Sequence, residues 1–405
     1  MIRLWRLARL LQEGSLYVLL FLLPFAKASV AIGFGLILIG WLFDRLNPAT
    51  RAQTFWATPR ARTLLILLSA YFGVCALSIT VSDAPRLSLV GAIGKWLKYL
   101  LFFVMLTDLG SRVNVVKRSL VVMALSSLCV AVQGLFQELS LQKMFWWQPV
   151  FQYRRMVGSY ENPIDFGTYL MVLIPIMLTF AASEQKWRRW LLGGLVLLLS
   201  WCLIRTRALG AWLALFMGLF VLMNRLPRVR RALVMLCTVL VVGGGLYLQH
   251  VGRLHRLMSL QDIGVGDRWM MWQAATGMIK DRPLLGHGVN TFMFNYLRYW
   301  VGGERSPRYA HNCYLQVAAE TGLVGLVVFL SLLGVFFSKL IRVVYRVQSK
   351  ESLLLAGLLA GLLAFVLQSA VDTNFYSLRQ AALFWVLAGL ALGLSEQVAH
   401  SKMDS

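Results

Sequence analysis

The chain has 405 residues, 59% of them hydrophobic, with 40 Lys and Arg against 17 Asp and Glu, a formal net charge of +23. That is too apolar for an ordinary soluble domain, and many runs are long enough to cross the ~30 Å hydrocarbon core of a bilayer. The basic residues are spread between apolar spans instead of forming one face of a soluble module, which argues against nucleic acid as their partner.

In chain order the apolar runs fall at roughly 15–27, 29–43, 63–81, 94–110, 119–138, 166–182, 190–204, 208–224, 232–250, 313–338, 353–370 and 381–396. This predicts an all-α polytopic membrane protein with about twelve transmembrane helices, forming a single transmembrane domain over 1–405. The first two runs are short. Basic connectors at Arg45/Arg51/Arg60/Arg62, Arg112/Lys117/Arg118, Lys186/Arg188/Arg189, Arg225/Arg228/Arg230/Arg231 and Lys339/Arg342/Arg346/Lys350, with the leader Arg3/Arg6/Arg9, all fall on one side if the spans alternate. By the positive-inside rule that side is cytoplasmic and holds both termini. Ala26-Lys27-Ala28 has the form of a signal-peptide cleavage site, against which stand Pro24 and the charge of Lys27. Of the five cysteines, Cys75, Cys129, Cys202 and Cys237 lie inside apolar runs and Cys313 at the mouth of another. No two share ligand-type spacing, so neither a disulfide framework nor a zinc site is expected.

Two hydrophilic stretches are then expected on the periplasmic side, 139–165 and a larger, helical loop at 251–312 between spans 9 and 10. The larger one carries Arg253, Arg256, Arg268, Lys280, Arg282, Arg298, Arg305 and Arg308 against Asp262, Asp267, Asp281 and Glu304. This excess suits anionic headgroups of membrane lipids, or a phosphate-bearing substrate gripped by guanidinium forks.

Several motifs sit on this outer side. Glu161-Asn162-Pro163 reads as a helix start, with Arg154 and Arg155 adding positive charge just upstream. Arg205 and Arg207 occupy a turn between two spans, where a cation either snorkels to headgroups or serves a function. Gly266-Asp267-Arg268-Trp269 opens a stretch with Trp269, Trp272, Ala275 and Ile279 at helical spacing, suggesting an amphipathic interfacial helix in which Asp267 could neutralise Arg268. Arg282-Pro283-Leu284-Leu285-Gly286-His287-Gly288-Val289-Asn290-Thr291-Phe292 is a glycine-rich turn into a helix starting at Asn290 or Thr291, either a phosphate cradle or an ordinary turn. His311, followed by Asn312, stands at the outer end of a span after Arg305 and Arg308, where a neutral imidazole could accept a proton from an attacking hydroxyl. The outer acids, including Asp83, Glu161, Asp165, Glu320 and Asp372, contain no adjacent or Asp-x-Asp pair to cage a divalent ion, so no metal site is expected and arginine would supply the positive charge.

His311-Asn312 followed by Gly322-Leu323-Val324-Gly325, Arg207 with Gly218, Arg268-Trp269 with the glycine-rich turn, and Asn162-Pro163 together resemble the O-antigen ligase family, within the O-antigen ligase and polymerase superfamily. The resemblance spans about Gly158 to Gly325. It implies a metal-independent, cofactor-free, inverting glycosyltransferase of the C-type membrane architecture at the periplasmic face of the bacterial inner membrane. Its donor would be O-antigen linked to undecaprenyl diphosphate, and its acceptor a sugar hydroxyl of lipid A-core. Carried over by position, His311 is the catalytic histidine, and Arg207 and Arg268 the arginines at the diphosphate. Arg154, Arg155, Glu161, Asn162, Arg205, Arg282, Arg308 and Asn312 are candidate substrate contacts. An O-antigen polymerase with the same donor is the nearest rival. A lipid-linked glycan flippase, from a different class, would call for intramembrane charges and repeat symmetry, which the sequence does not display.

Overall fold

The computed structural model describes residues 2–47, 54–140, 155–223, 263–302, 306 and 308–401, together with 225, 230, 238 and 249. The helices are α1 (Ile2–Leu22), α2 (Ala28–Arg45), α3 (Arg62–Thr80), α4 (Pro85–Gly110, with a π turn at Ala92–Leu97), α5 (Val113–Ser140), α6 (Pro163–Ser183), α7 (Lys186–Thr206), α8 (Leu209–Met223), α9 (Ile263–Asp281), α10 (Phe292–Asn295), α11 (Cys313–Arg346), α12 (Lys350–Gln368) and α13 (Leu378–Ser401).

Among the described residues nine helices are long and apolar enough to cross a membrane, and each coincides with one of the twelve expected runs. The remaining three differ for separate reasons. Residues 15–22 of the run at 15–27 form the end of α1, a helix that starts in the basic leader and so carries Arg3, Arg6, Arg9 and Glu13, and 23–27 form the turn into α2. The run at 208–224 forms α8, whose 15 residues extend only ~22 Å at the α-helical rise. The run at 232–250 lies outside the described residues but for positions 238 and 249.

Polar contacts identify the two ends of the bundle. At one end Arg9 meets Asp44 (3.2 Å), Arg112 meets Glu13 (3.1 Å), Lys117 meets Glu351 (3.1 Å) and Arg45 meets Asp108. Lys339 also donates to the Arg60 carbonyl and Arg225 to the Val347 carbonyl, so these described parts of the basic connectors share an end. At the other, the Arg379 guanidinium donates to the Pro24 carbonyl (2.8 Å) and the Cys313 amide to the Ser369 carbonyl (2.8 Å).

Small residues let the central helices approach backbone to backbone. A methyl placed on Gly361 of α12 would stand 2.5 Å from the Val172 carbonyl oxygen of α6, and one on Gly389 of α13 would stand 2.8 Å from the Phe103 carbonyl oxygen of α4. Each is half of a Gly-x-x-x-Gly pair, Gly357/Gly361 and Gly389/Gly393, the spacing that lays two glycines on one helix face. Such packing matters in a bilayer because lipid tails are as apolar as leucine, leaving close van der Waals contact to hold helices together.

Candidate active site

Asn312 caps α11, its Oδ1 accepting from the amides of Tyr314 and Leu315, both at 3.0 Å. His311, one residue earlier, is left-handed at φ +46°. Its Nδ1 lies 3.3 Å from Oδ1 of Asp372, with 34% of the imidazole and 11% of the carboxylate side chain exposed. An ionised carboxylate can only accept, so a neutral imidazole at this contact carries its proton on Nδ1 and presents the Nε2 lone pair. Asp372 is held in turn. Its Oδ1 also accepts from the Thr373 amide (2.8 Å), and its carbonyl accepts from the Cys313 thiol (3.2 Å). The start of α11 and the α12–α13 loop are thereby locked together.

Arg207 closes α7 in a left-handed C-cap at φ +53°. Arg155 clasps this turn, donating from Nε to the Thr206 carbonyl (2.8 Å) and from Nη2 to the Arg207 carbonyl (3.4 Å). A methyl on Gly210, three residues on, would stand 3.2 Å from Cγ2 of Val371. The Arg207 turn and His311 therefore flank the same α12–α13 loop from two sides.

Arg268 lies on α9, whose Met271, Ala274, Ala275 and Met278 pack with Ala310, Leu315 and Ala319. Positions 268, 271 and 275 share a helix face, so Arg268 extends the face that meets the segment leading into His311. Asp267 meets Arg308 at 3.5 Å, and Arg268 makes no ion pair or hydrogen bond among the described residues. The expected Asp267–Arg268 neutralisation is thus replaced by Asp267–Arg308. Of the expected Trp269/Trp272/Ala275/Ile279 stripe, Ala275 is buried and Ile279 packs on the same cluster, while Trp269 is 59% exposed.

The other described candidate contacts have partners within the protein. Arg205 pairs with Glu138 and stacks over Trp201. Glu161 pairs with Lys27, and Asn162 caps α6 by accepting from the Asp165 amide at 2.7 Å. Arg282 donates to the Val81 carbonyl (2.5 Å) and to Asp83 (3.0 Å), which also binds Arg298 (2.8 Å). Burial opposes ionisation of Asp83, but the Arg282 hydrogen bond and the charges of Arg282 and Arg298 hold its carboxyl below the usual range. Arg154 lies outside the described residues.

Every amide from Gly286 to Phe292 has an acceptor within the protein. His287 and Gly288 donate to the Ala319 and Glu320 carbonyls, at 3.0 and 2.9 Å. Asn290 and Phe292 donate to the buried Glu320 carboxylate, at 2.7 and 3.2 Å. With no amide left over, the glycine-rich segment is a turn docked on α11 and not a phosphate cradle. It docks where α11 breaks. Gly322 adopts φ +72°, ψ 178°, and a side chain there would collide with the Leu284 carbonyl.

Glu320 and Asp372 were visible in the sequence only as outer acids. A carboxylate inside an apolar run is a signal that could have singled out Glu320. For Asp372, no local pattern indicates its partner. Among the described residues no group of three or more His, Cys, Asp or Glu is placed to hold a metal ion.

Residues 194–330 match the family model described as O-Antigen ligase. The chain is also similar to the exopolysaccharide production protein ExoQ of Rhizobium meliloti (strain 1021), 24% identical over 235 residues, which is 52% of this chain and 52% of that protein. The chain thus spans about half the length of this curated relative.

Proposed function

We propose that this chain, similar over residues 194–330 to the O-antigen ligase family and over about half its length to a protein named for exopolysaccharide production, is a membrane glycosyltransferase. In this reading it transfers a preassembled O-antigen glycan from undecaprenyl diphosphate to a sugar hydroxyl of lipid A-core, at the periplasmic face of the bacterial inner membrane. The carrying observation is the His311–Asp372 pair, flanked by the Arg207 turn and by the α9 face that bears Arg268.

Asp372 fixes the proton on Nδ1, so Nε2 of His311 is free to take the proton of the acceptor hydroxyl. The acceptor oxygen attacks the anomeric carbon as the bond from that carbon to the diphosphate oxygen breaks. Direct displacement inverts the anomeric centre. The departing diphosphate gains negative charge, and the guanidinium groups of Arg207 and Arg268 oppose it without a metal ion. The basic connectors at the far end of the bundle support the orientation, through the positive-inside rule. A reporter fused within 251–312 is then expected to score periplasmic, and one after Arg230 or Arg346 cytoplasmic. Access to 251–312 only from the cytoplasm would displace the site and overturn the reading.

The relative named for exopolysaccharide production favours a second reading, a polymerase with the same donor and a growing glycan as acceptor. The lipopolysaccharide of a strain lacking the gene separates the two. Bare core with accumulating lipid-linked polymer indicates a ligase, whereas core capped by single repeat units indicates a polymerase.

A further inference from the structure

At the connector end, opposite His311, a cavity of about 530 Å³ is lined by Lys117, Lys186, Arg188 and Lys350, with Glu184 as its only carboxylate. It continues into a cleft of about 540 Å³ between α5 and α7, sharing Phe180, Glu184, Trp187 and Arg188 with it. The cleft is otherwise apolar, walled by side chains that include Leu125, Leu128, Leu191 and Leu195. Each volume is within the ~300–1,000 Å³ range of small-molecule sites.

The basic groups are only partly neutralised from within. Lys117 is engaged by Glu351 at 3.1 Å and Arg188 approaches Glu184 at 3.8 Å, while Lys186 and Lys350 make no ion pair or hydrogen bond among the described residues. Trp187 and Trp190 are 66% and 79% exposed beside them. Exposed tryptophan next to lysine marks the level of the headgroups, where the ring is half in hydrocarbon and half in water. A cationic pocket at that level, opening directly into a long apolar cleft, matches a molecule with an anionic head and an acyl tail.

We propose that this composite cavity binds one anionic glycerophospholipid, its phosphate among Lys117, Lys186 and Lys350 and one acyl chain in the α5–α7 cleft. The site is far from the His311–Asp372 pair, so the assignment stands independently of the transfer reaction. The lipid would bridge α5, α7 and α12, which contribute Lys117, Lys186 and Lys350 respectively. Three helices would thus be tied at the connector end by a ligand that belongs to the bilayer.

The test is native mass spectrometry of the full chain released from nanodiscs holding equal amounts of phosphatidylglycerol and phosphatidylethanolamine. The wild type is expected to retain phosphatidylglycerol preferentially. The Lys186→Ala/Lys350→Ala double variant is expected to lose about 30-fold of that preference, the scale of two basic residues near an anionic surface. Leu128→Trp, which fills the cleft, is expected to reduce retention of both lipids. Equal retention of the two lipids by the wild type would overturn the proposal even if a variant failed to fold. So would undiminished preference in a folded lysine variant, or preferential retention of added undecaprenyl phosphate.

Discussion

Oδ1 of Asp372 lies 3.3 Å from Nδ1 of His311 although the two residues are 61 positions apart. If this contact fixes the imidazole tautomer, both residues act through one proton. His311→Ala is expected to lower transfer by about 10² or more, and Asp372→Ala by about tenfold or more, with membrane expression retained in both. In the double variant the loss should be no greater than for His311→Ala alone, since a positioning residue has nothing left to position. Additive losses in a reconstituted transfer assay would detach Asp372 from His311. Near-normal ligation by well-expressed His311→Ala would return the histidine to a structural role.

The arginines should separate into two classes. Arg207→Ala and Arg268→Ala are each expected to reduce turnover by about 10²–10³, and lysine to restore only part, because it keeps the charge but lacks the planar fork. Chelation with EDTA should leave wild-type transfer intact. Loss of transfer that added divalent metal restores would sink the arginine mechanism. Arg205→Ala and Arg282→Ala, which break the pairs with Glu138 and Asp83, should act mainly on the yield of folded protein.

Acidification should loosen the docked turn. His287 is buried against the Met278 carbonyl, with Asp83, Asp281, Arg282 and Tyr299 around it. Burial, aided by the Arg282 charge, lowers its pKa from the ordinary value despite the opposing pull of the Met278 carbonyl, Asp281 and Asp83. As pH falls through ~6.5 the unfolded chain takes up a proton that the folded chain resists, so this residue's contribution to stability is complete above that pH and declines below it. Protection against amide exchange across 283–292, taken relative to the intrinsic rate at each pH, is expected to be lower at pH ~5.5 than at ~7.5, and His287→Gln should flatten that difference. Equal pH sensitivity in the variant would assign the effect elsewhere.

Glycine replacement should be tolerated or not according to position. Gly322→Ala forces a side chain into a positive-φ conformation nearly confined to glycine, costing about 1–3 kcal/mol, and adds the collision with Leu284. Gly193, inside α7, has nothing within 4 Å of a built methyl. Gly193→Ala is therefore expected to be neutral or to stabilise by up to about 1 kcal/mol. Thermal melts followed by size-exclusion chromatography in detergent would compare the two.

The length of apolar runs alone located the nine long helices, because hydrocarbon thickness sets a length that composition must satisfy. Local chemistry also carried the starts of α6 and α11, where Asn162 and Asn312 accept from their own first-turn amides. What sequence could not give is which arginine meets which acid. Asp267 chooses Arg308 over its neighbour Arg268, and Asp83 draws in Arg282 and Arg298 from about 200 residues away. Likewise the glycines of the Gly286–Gly288 turn suggest a ligand until the break in α11 is seen to take up the same backbone amides.

Four described residues other than glycine have a left-handed backbone, Lys186 at the connector end and Arg207, Asn290 and His311 at the opposite end, at φ +53°, +53°, +65° and +46°. None is glycine, so each conformation is held at a cost that the surrounding contacts must offset. A selection for heat resistance alone would be drawn to glycine at 207 and 311, relieving the backbone and discarding the imidazole and guanidinium together. Variants evolved for robustness should then cluster at these positions and be inactive. The end of the bundle richest in candidate chemistry would thus also be where durability and turnover are traded against each other.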